Sequence, residues 1–235
     1  MNDYYVDTLA AENLKKCYEI APARTRQYLR EEINHVITHI SEDAAVLELG
    51  CGYGRVLAQL VNHCATLVGI DTSFASLRMS YSYLARTHTI EFSQMNANHL
   101  GYSDSTFDVI VCIQNGISAF RIDPKDLILE AYRVVKPGGI CLFSSYSPKF
   151  WKSRLEWFCV QAEIGLIGEI DWNLTQEGNI VCKDGFRATT YDTEKFKTLL
   201  NILGLKGTIV EVDESSLFCE IRKHPKVPQA SQLYP

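Results

Sequence analysis

The chain has 235 residues, a formal net charge of −5 and 46% hydrophobic residues, which suits one α/β domain with embellishments. No run of five or six like charges occurs, so there is no electrostatic footprint for a nucleic-acid backbone or an anionic membrane, and a small-molecule substrate is the expected partner. The opening Met1-Asn2-Asp3-Tyr4-Tyr5 lacks the regions of a signal peptide and no apolar stretch approaches a membrane span, which predicts a cytoplasmic protein.

From Asp7 to about Ile40 the pattern is helical. Two helices are expected, broken near Ala21-Pro22, with Ile33, Val36, Ile37 and Ile40 as one apolar stripe. His35 and His39 stand at i and i+4 here, but no matching third ligand is evident and no metal is assigned, because zinc sites take three or four protein ligands. Elements then alternate: strand 45–49, helix 53–63, strand 66–70, helix 73–87, strand 90–94, strand 107–113, helix 124–135 and strand 139–145. Such alternation predicts a mostly parallel sheet with helices on both faces.

After Ser147 the rhythm changes. Residues 150–165 read as an aromatic-rich helix, and the turn signals Glu177-Gly178-Asn179 and Lys183-Asp184-Gly185 sit among strand-like residues in a β-rich insertion. A helix at 193–203 leads to strands at 207–212 and 216–222, and the Pro-containing end is expected to be flexible. The organisation predicted is a helical cap (1–40), a core (41–146), an insertion acting as substrate lid (147–191), a helix and strands completing the core (192–223) and a tail (224–235). Eight scattered cysteines without a C-x-x-C pair read as small core residues kept reduced.

The chemistry concentrates where strands end. Val46-Leu47-Glu48-Leu49-Gly50-Cys51-Gly52-Tyr53-Gly54-Arg55 is a buried strand entering a turn of three alternating glycines. Such a turn lets a ligand approach bare backbone while helix amides point at it. A dinucleotide fingerprint, G-x-G-x-x-G, would need its third glycine where Arg55 stands. Asp71 closes the second strand about 20 residues after the turn, where an acid reads ribose hydroxyls; a helix-capping role ahead of Ser73 is the alternative. Asn96-Ala97 follows the third strand, Gln114-Asn115-Gly116 follows the fourth, and Lys136-Pro137-Gly138-Gly139 precedes the fifth.

Taken together, these segments resemble motifs of the class I S-adenosylmethionine (SAM) dependent methyltransferases, with agreement over roughly residues 45–145. The resemblance implies a Rossmann-like seven-stranded sheet whose last strand runs antiparallel. It implies SAM as cofactor, with S-adenosylhomocysteine as product, held by Glu48, Gly50, Cys51, Gly52, Gly54, Asp71, Thr72, Asn96, Ala97 and Gln114. Asn96 departs from the Asp-Ala pair that binds adenine in the family, yet its amide oxygen still accepts from the adenine amino group. Asn115, Tyr5 and Tyr146 are the candidates for positioning the acceptor, alongside Tyr4 and Trp151. An NAD-dependent oxidoreductase and a non-catalytic SAM-binding module remain the alternatives. A metalloid acceptor held by Cys17, Cys159 and Cys182 is a minor option.

Overall fold

In the computed structural model, which describes residues 4, 8–84 and 90–225, the cap consists of α1 (Ala11–Glu19) and α2 (Ala23–Ile37). Pro22 separates them, since its fixed φ starts a helix but cannot continue one. The α/β succession follows as β1 (Ala45–Leu49), α3 (Leu57–Leu60), β2 (Thr66–Asp71), α4 (Phe74–Tyr83), β3 (Ile90–Gln94) and β4 (Phe107–Cys112). Next come α5 (Gly116–Ala119), α6 (Pro124–Val134), β5 (Val135–Tyr146) and α7 (Trp151–Glu163). Two short strands, β6 (Ile180–Val181) and β7 (Arg187–Ala188), precede α8 (Thr193–Leu203), β8 (Thr208–Val212) and β9 (Ser216–Arg222).

Seven strands form one sheet in the order β3-β2-β1-β4-β5-β9-β8. Strands β1 to β5 pair in parallel, and β9 runs antiparallel to both β5 and β8. Side-chain alternation sends neighbours to opposite faces. Leu47, Ile110 and Phe143 pack with α6 and α8, whereas Val46, Val109, Val111 and Leu142 pack with Val36 of α2 and Leu57 and Leu60 of α3. Glu48 shares the parity of Val46 and therefore points to the α2–α3 side.

A third apolar cluster joins the cap to the segment after β5: Cys17, Tyr28 and Leu29 meet Tyr146, Phe150, Trp157 and Phe186. Trp157 Nε1 donates to Cys17 O at 2.8 Å, and Tyr4 OH donates to Asp184 Oδ2 at 2.7 Å.

Four elements differ from the sequence reading. The helix expected from near Asp7 is a turn over residues 8–10 and becomes α1 only at Ala11; Asp7 itself lies outside the described residues. The helix expected over 53–63 keeps a single α-turn, because its flanks bond i to i+3, as in Gly54 N to Cys51 O and His63 N to Leu60 O. Strand β5 begins at Val135, four residues early; a bulge between Phe107 and Val109 takes up the Pro-Gly-Gly turn inside the strand. The insertion carries the two-residue pair β6–β7 and two isolated antiparallel bridges, Ile170 with Cys182 and Gln176 with Asn179, among its turns.

Candidate active site

The glycine turn folds over the carboxyl end of β2. Gly50 and Cys51 N–H groups both donate to Ile70 O, at 2.8 and 2.9 Å. Gly50, Gly52 and Gly54 have φ of 74°, 54° and 87°, the left-handed region in which a Cβ is strained. A Cβ on Gly50 would overlap the Phe120 ring, so this ring covers the turn. Asp71 locks the turn to β2: its Oδ2 accepts from Gly52 N and its Oδ1 from Ser73 N, both at 2.8 Å. Ser73 is the cap of α4, its Oγ accepting from Ser76 N, so that role does not fall to Asp71.

A cavity of about 180 Å³ opens along the carboxyl ends of β1, β2 and β4, the edge where ligands of open α/β sheets collect. Glu48, Gly50, Gly52, Asp71, Thr72, Asn96, Ala97 and Gln114 all line it, eight of the ten residues expected from sequence. Cys51 lines a small adjoining space instead. Gly54 lines neither; a Cβ there would meet Leu84 and Ser80, so its role is helix packing. The cap contributes Leu9, Leu14 and Tyr18 to the wall, and α5 contributes Gly116 and Ala119.

Under the glycine turn lies a polar group that the sequence reading had weighed only as a missing glycine. Arg55 points back into the small space shared with Glu48, Gln114 and Tyr18, its guanidinium 4.6 Å from the Tyr18 ring centroid. Arg55 Nε and Nη2, Glu48 Oε2 and Gln114 Nε2 are buried there without hydrogen-bond partners. Burial pushes the Glu48 carboxyl up to about 8, against the pull of Arg55. Unsatisfied buried groups cost free energy, and donors beside an acceptor fit the zwitterionic amino-acid end of SAM: guanidinium and amide toward its carboxylate, Glu48 toward its ammonium. The residues present therefore fit the cofactor. The signal in the sequence was an arginine directly after the last glycine.

At the end of β4, Gln114 and Asn115 are both left-handed, with φ of 56° and 65°. Two such non-glycine residues in succession are held by surrounding bonds. Gln114 N donates to Ser144 Oγ at 2.9 Å, and Tyr18 OH donates to Gln114 Oε1 at 2.7 Å. Ser144 Oγ in turn donates to Glu32 Oε1 at 2.6 Å, joined by Ser216 Oγ at 3.0 Å. Burial raises the Glu32 carboxyl to about 7.

The structure divides the three acceptor candidates. Asn115 does not line the main cavity; its Nδ2 donates to Thr189 O at 2.8 Å and its Oδ1 accepts from Ser145 Oγ at 2.7 Å, tying β4 and β5 to the insertion. Tyr146, buried, lies 4.5 Å from the Arg154 guanidinium and lines a second cavity of about 300 Å³ with Trp151, Arg154 and Lys195. Tyr5 lies outside the described residues.

This sheet order, with the glycine turn, Asp71 and the strand-end cavity on one edge, is the arrangement of the class I SAM-dependent methyltransferase fold. Residues 47–143 match the methyltransferase domain family. Among curated proteins, the chain is 34% identical over 111 residues to an arsenite methyltransferase of Aquipseudomonas alcaligenes, covering 42% of this chain and 32% of that protein. It is 29% identical over 133 residues to a ubiquinone biosynthesis O-methyltransferase of Pseudomonas fluorescens, covering 56% of this chain and 53% of that one. The chain thus spans about half or less of the length of these relatives. The N-methyltransferase NodS of Bradyrhizobium japonicum, solved with S-adenosylhomocysteine, shares the fold with a TM-score of 0.57 and 18% identity over 92% of this chain and 99% of that one.

Proposed function

We propose that this protein transfers the methyl group of SAM to a small organic acceptor. The observation that carries this reading is the single cavity into which the glycine turn, Asp71, Asn96-Ala97 and Gln114 all face. SAM, when bound, supplies an electrophilic methyl group on a sulfonium, so the protein's task is placement and exclusion of water. Asp71 is assigned to the ribose hydroxyls, and Asn96 with the Ala97 amide to adenine. Thr72, Gly50 and Gly52 form the floor, and Glu48, Gln114 and Arg55 take the amino-acid end.

On the acceptor side, the cap helix bearing Leu14 and Tyr18 excludes water from the cavity. Asn115 is a positioning residue: it holds β4, β5 and the insertion at Thr189 in fixed relation. Tyr146, and Tyr5 from the N-terminal segment, are assigned to the acceptor's surroundings. An organic acceptor is favoured over a metalloid because burial holds the Cys17 and Cys182 thiols up at about 12 and about 11, and thiolates are the binding species. Among the described residues, no three cysteines converge on a common point.

A small-molecule acceptor and no nucleic-acid partner follow from the acidic balance of the chain. No helix among the described residues is long and apolar enough to cross a membrane, in keeping with work in the cytoplasm. The test is methyl transfer from labelled SAM into a metabolite extract, with calorimetry against SAM, S-adenosylhomocysteine and NADH. Labelled product with SAM binding is expected. Heat with NADH and none with either SAM species would turn the reading into an oxidoreductase, and SAM binding without labelled product would leave a non-catalytic binding module.

A further inference from the structure

We propose that His35, His39 and Glu220 form a binding site for a divalent transition-metal ion, zinc by preference, that clasps the end of the cap helix α2 to strand β9. His35 lies in the last turn of α2 and His39 in the turn just beyond its end, and Glu220 comes from the facing strand, a partner 181 or more residues away that histidine spacing alone does not show. Their ligand atoms already converge. His35 Nε2 lies 2.9 Å and His39 Nε2 3.5 Å from Glu220 Oε1, and all three atoms lie within 4.8 Å of one another. A tetrahedral ion with bonds of about 2.0–2.2 Å holds its ligand atoms roughly 3.3–3.5 Å apart, so shifts of no more than about 1.5 Å are needed.

Two further features favour a cation. His39 Nε2 is buried without a hydrogen-bond partner, although it faces the carboxylate. The negative end of the helix dipole points at the cluster. The side chains keep 17%, 14% and 12% of their surface exposed, which leaves a path for entry and for a water as fourth ligand. Two imidazoles and a carboxylate suit zinc, and with it cobalt, nickel and copper, over calcium or magnesium. The opposing charge is Arg222, whose Nη2 stands 3.4 Å from His39 Nδ1. It lies on an exposed side chain and must swing into solvent when the metal binds.

The test uses the full chain, freed of metal by chelator dialysis and kept reduced. Zinc is expected to bind at one equivalent by calorimetry and to raise Tm by about 5 °C at a hundredfold excess over Kd. Cobalt is expected to give visible d–d bands without the near-ultraviolet thiolate charge-transfer band. His39→Gln and, independently, Glu220→Gln should each weaken zinc binding about 100-fold while SAM affinity stays unchanged. Absence of binding, a thiolate band that moves the metal to cysteines, or unaltered affinity in both variants would overturn the proposal.

Discussion

Asp71 combines two tasks that a substitution separates. Its carboxylate closes the glycine turn through Gly52 and Ser73 N–H groups and lines the cavity, where the proposed function assigns it to the ribose hydroxyls. Losing charge-assisted hydrogen bonds of about 1.5–3 kcal/mol, Asp71→Ala should weaken SAM binding by roughly 10- to 100-fold. Calorimetry checks this, and unchanged affinity would confine Asp71 to bracing the turn. Arg55→Gln removes the guanidinium facing the small space beside Glu48 and should raise the Kd for SAM more than that for adenosine, which lacks the amino-acid end. Equal effects on both would remove Arg55 from the carboxylate. Glu32 provides a pH signature. Its pKa rises from near 4.5 to about 7 on folding, so the folded state holds a proton that the unfolded state has released. Stability from this group is fully present below about 4.5 and falls as pH rises toward about 7. Glu32→Gln keeps an oxygen for Ser144 and Ser216 and should flatten that fall in urea titrations; an unchanged pH slope would count against the raised pKa.

At the scale of elements, the legible parts were those with a strong local cause. The strands β1, β2 and β4 are largely apolar runs, β3 alternates apolar and polar residues, and each lies within a residue of its expected bounds. The residues expected to hold the cofactor sit at strand ends that the alternation locates, and eight of ten line one cavity. What was not legible depends on tertiary partners. Asn115 looked free to meet an acceptor, yet its amide is used by Ser145 and Thr189, residues far along the chain. The orphaned donors of Arg55 become visible only once the turn brings them beside Glu48. The Pro-Gly-Gly segment read as a stop before β5, whereas pairing of Val135 with Phe107 starts the strand first and leaves the turn as a bulge. There a Cβ on Gly139 would come within 2.5 Å of Asp108 O. Backbone cannot give way as a side-chain tip can, so Gly139→Ala should cost about 1–3 kcal/mol by urea denaturation without altering SAM affinity. A variant as stable as the parent would show that the bulge adjusts freely.

For the whole molecule, the third apolar cluster matters most, because it joins the two segments that flank the cofactor motifs in sequence. Trp157 in α7 donates to Cys17 O in α1, and the adjacent Tyr18 lines the cavity, bonds Gln114 and covers Arg55. The insertion therefore backs the cap helix, and the cap helix closes the site, although residues 147–191 themselves line only the second cavity. Enclosure should matter more for transfer than for cofactor affinity, since most of the expected SAM contacts come from β1, β2 and β4 while water exclusion and acceptor placement come from the cap. Removing residues 1–20 is accordingly expected to lower labelled methyl transfer at least 100-fold while raising the SAM Kd by only about 10-fold. Truncation also uncovers Trp157 and Tyr28, so Tyr18→Phe serves as a milder companion. It keeps the ring over Arg55, loses the bond to Gln114, and should reduce transfer several-fold at unchanged Tm. Transfer that survives both changes would place the acceptor away from the cap, whereas loss of SAM binding in step with transfer would make α1 a part of the cofactor site rather than its cover.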